Sequence, residues 1–291
     1  MMKRIVWSII GVFVLPLTMG WSEEVYCRYE LGGQTSYGRV YGEKIQPLNH
    51  APWNGGIETG QKVDLNQVQL LHPSEPQKII GLSGSYKEAW PEGKVPFKTI
   101  RWFLKPPSSA ANPKDDVILP SSVDILQVET ELVIVIGKKI KDGTPEEAKD
   151  AIFGYTAAND IVGEVTSYHQ VQGEPLNQVE PLLPTCLKMG DGFAPFGPFI
   201  HRGVDWRDHK RTLKITNSKT GKNLYYEHNT SNMVYTPEKI VSDISRVFTL
   251  DPGDIILTGT TQALPAEEGD IMEVTVEGLG TVINQVKKSK S

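Results

Sequence analysis

Cysteine is nearly absent: Cys27 and Cys186 are the whole supply in 291 residues. Two thiols are too few for a disulfide framework, and they exclude a cysteine-rich zinc or iron–sulfur site. Positive charge is also short. Thirty Lys and Arg stand against 35 Asp and Glu, for a net charge of −5 and a pI near 5.8. No stretch concentrates basic residues, so the balance argues against a nucleic-acid partner. Beyond residue 21 no apolar run is long enough to span a bilayer. There is no G-x-S-x-G elbow, no phosphate loop ending Gly-Lys-Ser/Thr and no complete G-x-G-x-x-G. Those gaps remove the serine-elbow, phosphate-loop and dinucleotide-fingerprint readings. His-x-x-x-His and Cys-x-x-Cys pairs, internal repeats, heptads and low-complexity tracts are missing too.

What remains is an ordinary globular composition, 39% hydrophobic with 27 Gly and 20 Pro. The N-terminus has its own character. Met1-Met2-Lys3-Arg4 is basic, residues 5–17 are apolar apart from Ser8, Gly11 and Pro16, and Thr18-Met19-Gly20 supplies small residues. Basic, apolar, then small is the layout of a secretory signal. A cleaved signal over residues 1–20 is therefore expected, with an exported (periplasmic or secreted) mature chain and no stable membrane insertion. Translation from Met19 would instead leave a cytoplasmic protein.

Residues 25–48 read as short strands with turns, and Gly32-Gly33 marks a hairpin. His72-Pro73-Ser74-Glu75-Pro76 breaks the chain, which sets a small β subdomain over residues 21–76 and a main domain over residues 77–291. In the main domain, residues 78–82, 117–119, 131–136, 212–216, 254–257, 271–276 and 280–286 have the β-branched, apolar character of strands. Thr144-Pro145-Glu146-Glu147 starts a helix running to residue 152. Thr236-Pro237-Glu238 starts another, running to residue 248. Many strands and few helices indicate an α+β, β-rich fold rather than a regular βαβ alternation.

Glu129-Thr130-Glu131 leads into the most apolar strand, Leu132-Val133-Ile134-Val135-Ile136. Side chains alternate along a strand, so Glu129 and Glu131 share a face. Two acids beside a buried strand need a cation or exposure. Asp160 closes a second apolar segment and offers a third carboxylate. Three oxygen donors suit a hard cation: Mg²⁺, Mn²⁺ or Ca²⁺. The competing reading is a solvated strand start with ordinary surface acids, and Glu-x-Glu alone does not separate the two.

Longer stretches do. Val128-Glu129-Thr130-Glu131-Leu132-Val133-Ile134-Val135-Ile136-Gly137 resembles the metal-binding strand of the fumarylacetoacetate hydrolase family. Gly154-Tyr155-Thr156-Ala157-Ala158-Asn159-Asp160 resembles its next segment. Phe103-Leu104-Lys105-Pro106-Pro107-Ser108-Ser109 resembles the stretch before the metal strand, and Lys188-Met189-Gly190-Asp191 its active-site lysine segment. Asn229-Thr230-Ser231-Asn232-Met233, Asp251-Pro252-Gly253-Asp254-Ile255-Ile256-Leu257-Thr258-Gly259-Thr260 and Glu277-Gly278-Leu279-Gly280-Thr281 are similar to later blocks, in order. The resemblance implies a mixed β-sandwich roll with a small N-terminal β subdomain, usually in a homodimer. It implies one divalent cation on Glu129, Glu131 and Asp160, and a small-molecule 2-oxo, β-dicarbonyl or enol acid as substrate. A 2-oxo acid chelates a metal that then stabilises enolate charge. Lys188 would hold the substrate oxygen, Asp191 would orient Lys188, and Thr260 would bind the substrate carboxylate. Asn229-Thr230-Ser231 is a formal glycosylation sequon, but it falls within a family block and reads as structural.

The departures fall on water activation and substrate clamping. The family's carbon–carbon hydrolases use a His and Glu pair; here Ala89 falls at the His and Glu92 at the Glu, with Glu88 the alternative. Glu164 reverses the charge of an Arg that many members carry. The stretch over residues 166–187 is longer than usual and contains His169, which could replace the missing base. The family default is hydrolysis of a carbon–carbon bond through an enolate, with Lys188 and Glu92 catalytic. The alternatives are an isomerase, tautomerase or decarboxylase of a 2-oxo dicarboxylate, or a non-catalytic exported carboxylate-binding relative. Metal-dependent turnover separates the enzymes from the binder.

Overall fold

The computed structural model describes residues 23–90, 99–164 and 187–289. The expected signal over residues 1–20, Glu92, His169 and Cys186 lie outside the described residues. Among the described residues no helix is long and apolar enough to cross a membrane.

Gly32 and Gly33 take left-handed φ values of 59° and 79° and reverse the chain between β1 (Glu24–Leu31) and β2 (Gln34–Tyr41). β3 (Lys44–Leu48) and β4 (Val63–Asp64) continue the antiparallel meander, and β5 (Gln69–Leu71) pairs back on β1. The main domain follows with β6 (Ile79–Ser83), β7 (Arg101–Lys105), β8 (Ala110–Ala111) and β9 (Val117–Leu119). β10 (Ile125–Ile136) starts six residues before the expected start at residue 131, because β11 (Ile152–Glu164) pairs along its whole length. Asp160 is therefore an interior residue of β11 rather than its end. Between them lies α1 (Pro145–Ala151), closed by a full capping box: Glu147 N donates to Thr144 Oγ1, and Thr144 N donates to Glu147 Oε2.

The chain continues as β12 (Ala194–Arg202), β13 (Lys210–Asn217), β14 (Lys222–Asn229) and α2 (Pro237–Ser245). It closes with β15 (Ile255–Leu257), β16 (Leu264–Ala266), β17 (Ile271–Val276) and β18 (Gly280–Lys288). α2 stops three residues short of the expected end. Lys141 Nζ takes the carbonyls of Ser245 and Arg246, and Asp142 N donates to Ser245 O, so a loop satisfies the carbonyls that another turn would have used.

Two sheets result. The larger runs β4-β3-β2-β1-β12-β11-β10-β15-β6-β7, with β5, β8 and β16 attached to β1, β12 and β10. The smaller runs β14-β13-β17-β18-β9. This is the expected strand-rich mixed roll. The N-terminal meander joins it through β1 on β12, not by a loose linker. β10 sorts its side chains by the two-residue period. Leu126 and Val128 pack between the sheets, Leu132, Ile134 and Ile136 pack under α2, and Val133 and Val135 face the opposite way with Phe196 and Leu257. Glu129 and Glu131 share the parity of Val133 and Val135. The buried face of the strand thus ends in two carboxylates.

Candidate metal centre and substrate cavity

The β10–β11 register sets Glu129 opposite Asp160 and Glu131 opposite Ala158. Directly opposed residues of an antiparallel pair point to one face, so the three acids converge. One oxygen from each lies within 4.8 Å of the others. Exposure is 1% for Glu131 and Asp160, while the Glu129 side chain keeps 19%. Solvated surface acids are therefore ruled out. Buried carboxylates need countercharge, and a set of hard oxygens fits a divalent cation.

Two ammonium groups already serve this cluster. Lys188 Nζ lies 2.9 Å from Glu129 Oε2 and 2.8 Å from Asp160 Oδ2. Lys105 Nζ lies 2.7 Å from Asp160 Oδ1 and donates to the carbonyls of Ile161, Lys188 and Phe193 at 2.9, 2.6 and 3.0 Å. Burial pushes the Asp160 carboxyl up, but Lys105 and Lys188 outweigh it and hold the group below the usual range. For Glu129 burial wins, with Asp160 adding to it, and the carboxyl is raised. Burial would lower Lys188, yet Asp160 and Glu129 raise it well above an ordinary lysine. Lys188 is a fixed cation. Lys105 goes the other way, because burial exceeds the pull of Asp160.

Glu131 is held from the other side. Its Oε2 accepts the Gly259 N–H at 2.6 Å. Gly259 has φ 94°, and a Cβ there would collide with Ser85 Oγ, so the Thr258-Gly259-Thr260 turn admits only glycine. Arg211, fully buried at the start of β13, donates through Nη1 to the carbonyls of Thr130 at 3.1 Å and Gly259 at 2.9 Å. Its Nη2 meets His228 Nδ1 at 2.9 Å, and its guanidinium stacks 4.2 Å from the Tyr86 ring centroid. Burial pushes the Glu131 carboxyl well above its usual value, and Arg211 only partly offsets it.

Glu129, Lys188 and Thr260 line one cavity of about 340 Å³, together with Ser83, Arg101 and Phe103. The Phe103 ring lies 4.7 Å from Lys188 Nζ. Thr260 Oγ1 is shielded from solvent and has no hydrogen-bond partner, the kind of group a ligand satisfies. A groove of about 840 Å³ lined by Tyr155, Arg202 and Trp206 is larger but holds none of the carboxylates. Size does not locate the chemistry here.

The expected site residues separate accordingly. Glu129, Glu131, Asp160 and Lys188 come together, and Thr260 joins them at the cavity wall. Asp191 does not: it is exposed on a turn, and Lys188 is oriented by Glu129 and Asp160 instead. Glu88 is exposed, accepts from Asn232 Nδ2 and is not among the residues that line the cavity. Glu164 accepts from Gln127 Nε2 at 2.6 Å. Lys105 and Arg211 had no assigned role in the sequence. A lysine ending an apolar run before Pro106-Pro107 is a faint signal for the first, and nothing marks the second.

Residues 77–287 match the model of the fumarylacetoacetate (FAA) hydrolase C-terminal family, and residues 26–73 match the Rv2993c-like N-terminal family. Protein Rv2993c of Mycobacterium tuberculosis is 33% identical over 238 residues, covering 81% of this chain and 84% of that protein. The mitochondrial oxaloacetate tautomerase fahd2 of Xenopus laevis is 30% identical over 76% of this chain and 70% of its own length. Among solved structures, the 2-hydroxyhepta-2,4-diene-1,7-dioate isomerase of Mycobacterium marinum superposes with a TM-score of 0.76 at 29% identity. That match covers 92% of this chain and all of the other.

Proposed function

The chain belongs to the fumarylacetoacetate hydrolase family, and from that premise we propose that it is a divalent-metal-dependent enzyme forming the enolate of a 2-oxo acid, with tautomerisation or isomerisation as the net reaction. The observation that carries this reading is the convergence of Glu129, Glu131 and Asp160 within 4.8 Å of one another, with Glu129 on the wall of the cavity that Lys188 and Thr260 also line. A Mg²⁺ or Mn²⁺ ion held by those carboxylates supplies Lewis acidity toward the substrate's carboxylate and keto oxygens.

The chain's own groups do the rest. Lys188, kept protonated by its two carboxylate partners, is placed to donate to the C2 oxygen as negative charge develops there. Phe103 excludes water from one side of that ammonium. Thr260 Oγ1 hydrogen-bonds the substrate carboxylate. Hydrolysis would add a water-activating base. Ala89 stands at the family's histidine and Glu88 is engaged with Asn232, so enolisation asks less of these residues.

The test follows the ultraviolet absorbance of enol-oxaloacetate and of an acylpyruvate with purified protein, with and without Mg²⁺ or Mn²⁺. Metal-dependent loss of the enol is expected. Lys188→Met should lower kcat by about 10²–10³, the usual effect of removing an oxyanion donor. Loss of the acylpyruvate would replace this reading with carbon–carbon hydrolysis. Saturable binding without turnover of either would make the chain a carboxylate binder.

A further inference from the structure

Resting on the enolate reading, we infer that Thr261 is a positioning residue: held by Tyr226 and His228, it fixes the Thr260 hydroxyl against the substrate carboxylate. The turn after β15 is pinned residue by residue. Thr258 donates through N and Oγ1 to Leu132 O, both at 3.0 Å, and its carbonyl accepts Ser85 Oγ. Gly259 is held by Glu131 and Arg211. Thr261 Oγ1 lies 2.6 Å from the Tyr226 hydroxyl and 3.1 Å from His228 Nδ1. Between these, Thr260 Oγ1 is the hydroxyl of the turn with no partner among the described residues, and Thr260 lines the cavity. The turn is thus tied down on both sides of the one hydroxyl left for a ligand.

β14 supplies the outer pin. Tyr226 and His228 stand two apart on that strand, so they share a face with about 7 Å between them. The register sets them opposite Leu213 and Arg211. Thr261 Oγ1 bridges the pair, and Arg211 settles the direction of each bond. A guanidinium only donates, so His228 Nδ1, 2.9 Å from Arg211 Nη2, is the unprotonated, accepting nitrogen. Thr261 Oγ1 therefore donates to Nδ1 and accepts from the Tyr226 hydroxyl. Both functions of the Thr261 hydroxyl are committed inside the protein. It serves the substrate through its neighbour, not by contact.

The experiment titrates the full chain with Mn²⁺, then the loaded protein with pyruvate, both read from the Mn²⁺ electron paramagnetic resonance signal. Thr260→Val should weaken pyruvate binding about tenfold, the scale of one lost hydrogen bond to a charged group. Thr261→Val keeps the Thr260 hydroxyl and should still weaken binding about fivefold, and Tyr226→Phe should act in the same direction. Thr261→Ser should restore wild-type binding to within about twofold. In the Thr260→Val background, Thr261→Val should cost nothing further, because its effect runs through that hydroxyl. Mn²⁺ affinity should stay within about twofold in every variant, reporting that the fold and the three carboxylates are intact. A Thr261→Val variant that binds pyruvate like the wild type would overturn the inference and leave the enolate reading standing. So would a failed rescue by Thr261→Ser, a full additional loss in the Thr260→Val background, or an Mn²⁺ affinity that falls with Thr261→Val. If Thr261→Val does not fold, Tyr226→Phe, which removes a single oxygen, carries the same comparisons. If Thr260→Val binds pyruvate unchanged, or the loaded wild type binds none, the contact on which the inference rests is gone and both fall together.

Discussion

Glu131 is the acid whose environment is least like water. It is 1% exposed, takes one backbone hydrogen bond from Gly259, and feels Arg211 across the Thr130 carbonyl. Burial sets its carboxyl well above the ordinary value. The folded state then binds that proton more tightly than the unfolded state. The stability it contributes is complete below the ordinary carboxylate range and is lost as pH rises through the raised value. Near neutrality, where the unfolded carboxyl is ionised, burying Glu131 opposes folding of the metal-free protein whether the group stays charged or takes up a proton. Glu131→Gln should therefore raise metal-free stability at pH 7 by roughly 1–3 kcal/mol, the scale of an unsatisfied buried polar group, in urea unfolding. The same variant should lose the rise in Tm that Mn²⁺ gives the wild type. A destabilised variant, or one that keeps its metal response, would remove Glu131 from the site. At this scale the three carboxylates were readable, since strand parity and the family-like blocks both mark them. Lys105 and Arg211 were not, because they act on backbone 56 and 81 positions away.

Arg211 shows what an element contributes. It ties the first residue pair of β13 to β10 through Thr130 O and to the turn after β15 through Gly259 O. Arg211→Met keeps the bulk and strands both carbonyls in a dry interior. The expected cost is about 3 kcal/mol in urea unfolding. The variant should also lose Mn²⁺ affinity in the resonance titration, because Gly259 no longer fixes the Glu131 carboxylate. A loss below about 0.5 kcal/mol would mean that water replaces the guanidinium. Elements whose signals are local were legible. The Thr144 capping box and the Gly32-Gly33 hairpin need only neighbours within three or four residues. The early start of β10 and the early stop of α2 were not, because a partner strand and the Lys141 loop decide them.

Across the whole molecule, the response to acid depends on where buried groups refuse protons. Burial, with Arg211 beside it, pushes His228 down to about 3. Above its ordinary value of about 6.5 the ring is neutral in both states and contributes nothing. As pH falls below that value the unfolded chain takes up a proton that the fold rejects, so stability drops by up to about 1.4 kcal/mol per pH unit. His228→Asn retains an acceptor for Arg211 and cannot titrate. Between pH 7 and pH 5 it should lose up to about 2 kcal/mol less than the wild type in urea unfolding. Equal losses would show that His228 protonates in the folded state.

The sequence by itself determined the strand-rich roll, the face shared by Glu129 and Glu131, the helix starts and the cation-suited donor set. All of these follow from periods of two to four residues or from ordered blocks of similar residues. Tertiary structure alone decided that Asp160 takes two lysines and that Asp191 is exposed. It also decided that Arg211 braces the Gly259 turn, and that Arg101 shares a cavity with Lys188. Those outcomes depend on which strands lie side by side and which side chains meet across them. Contacts between residues tens of positions apart are chosen by packing the whole chain, not by any local pattern.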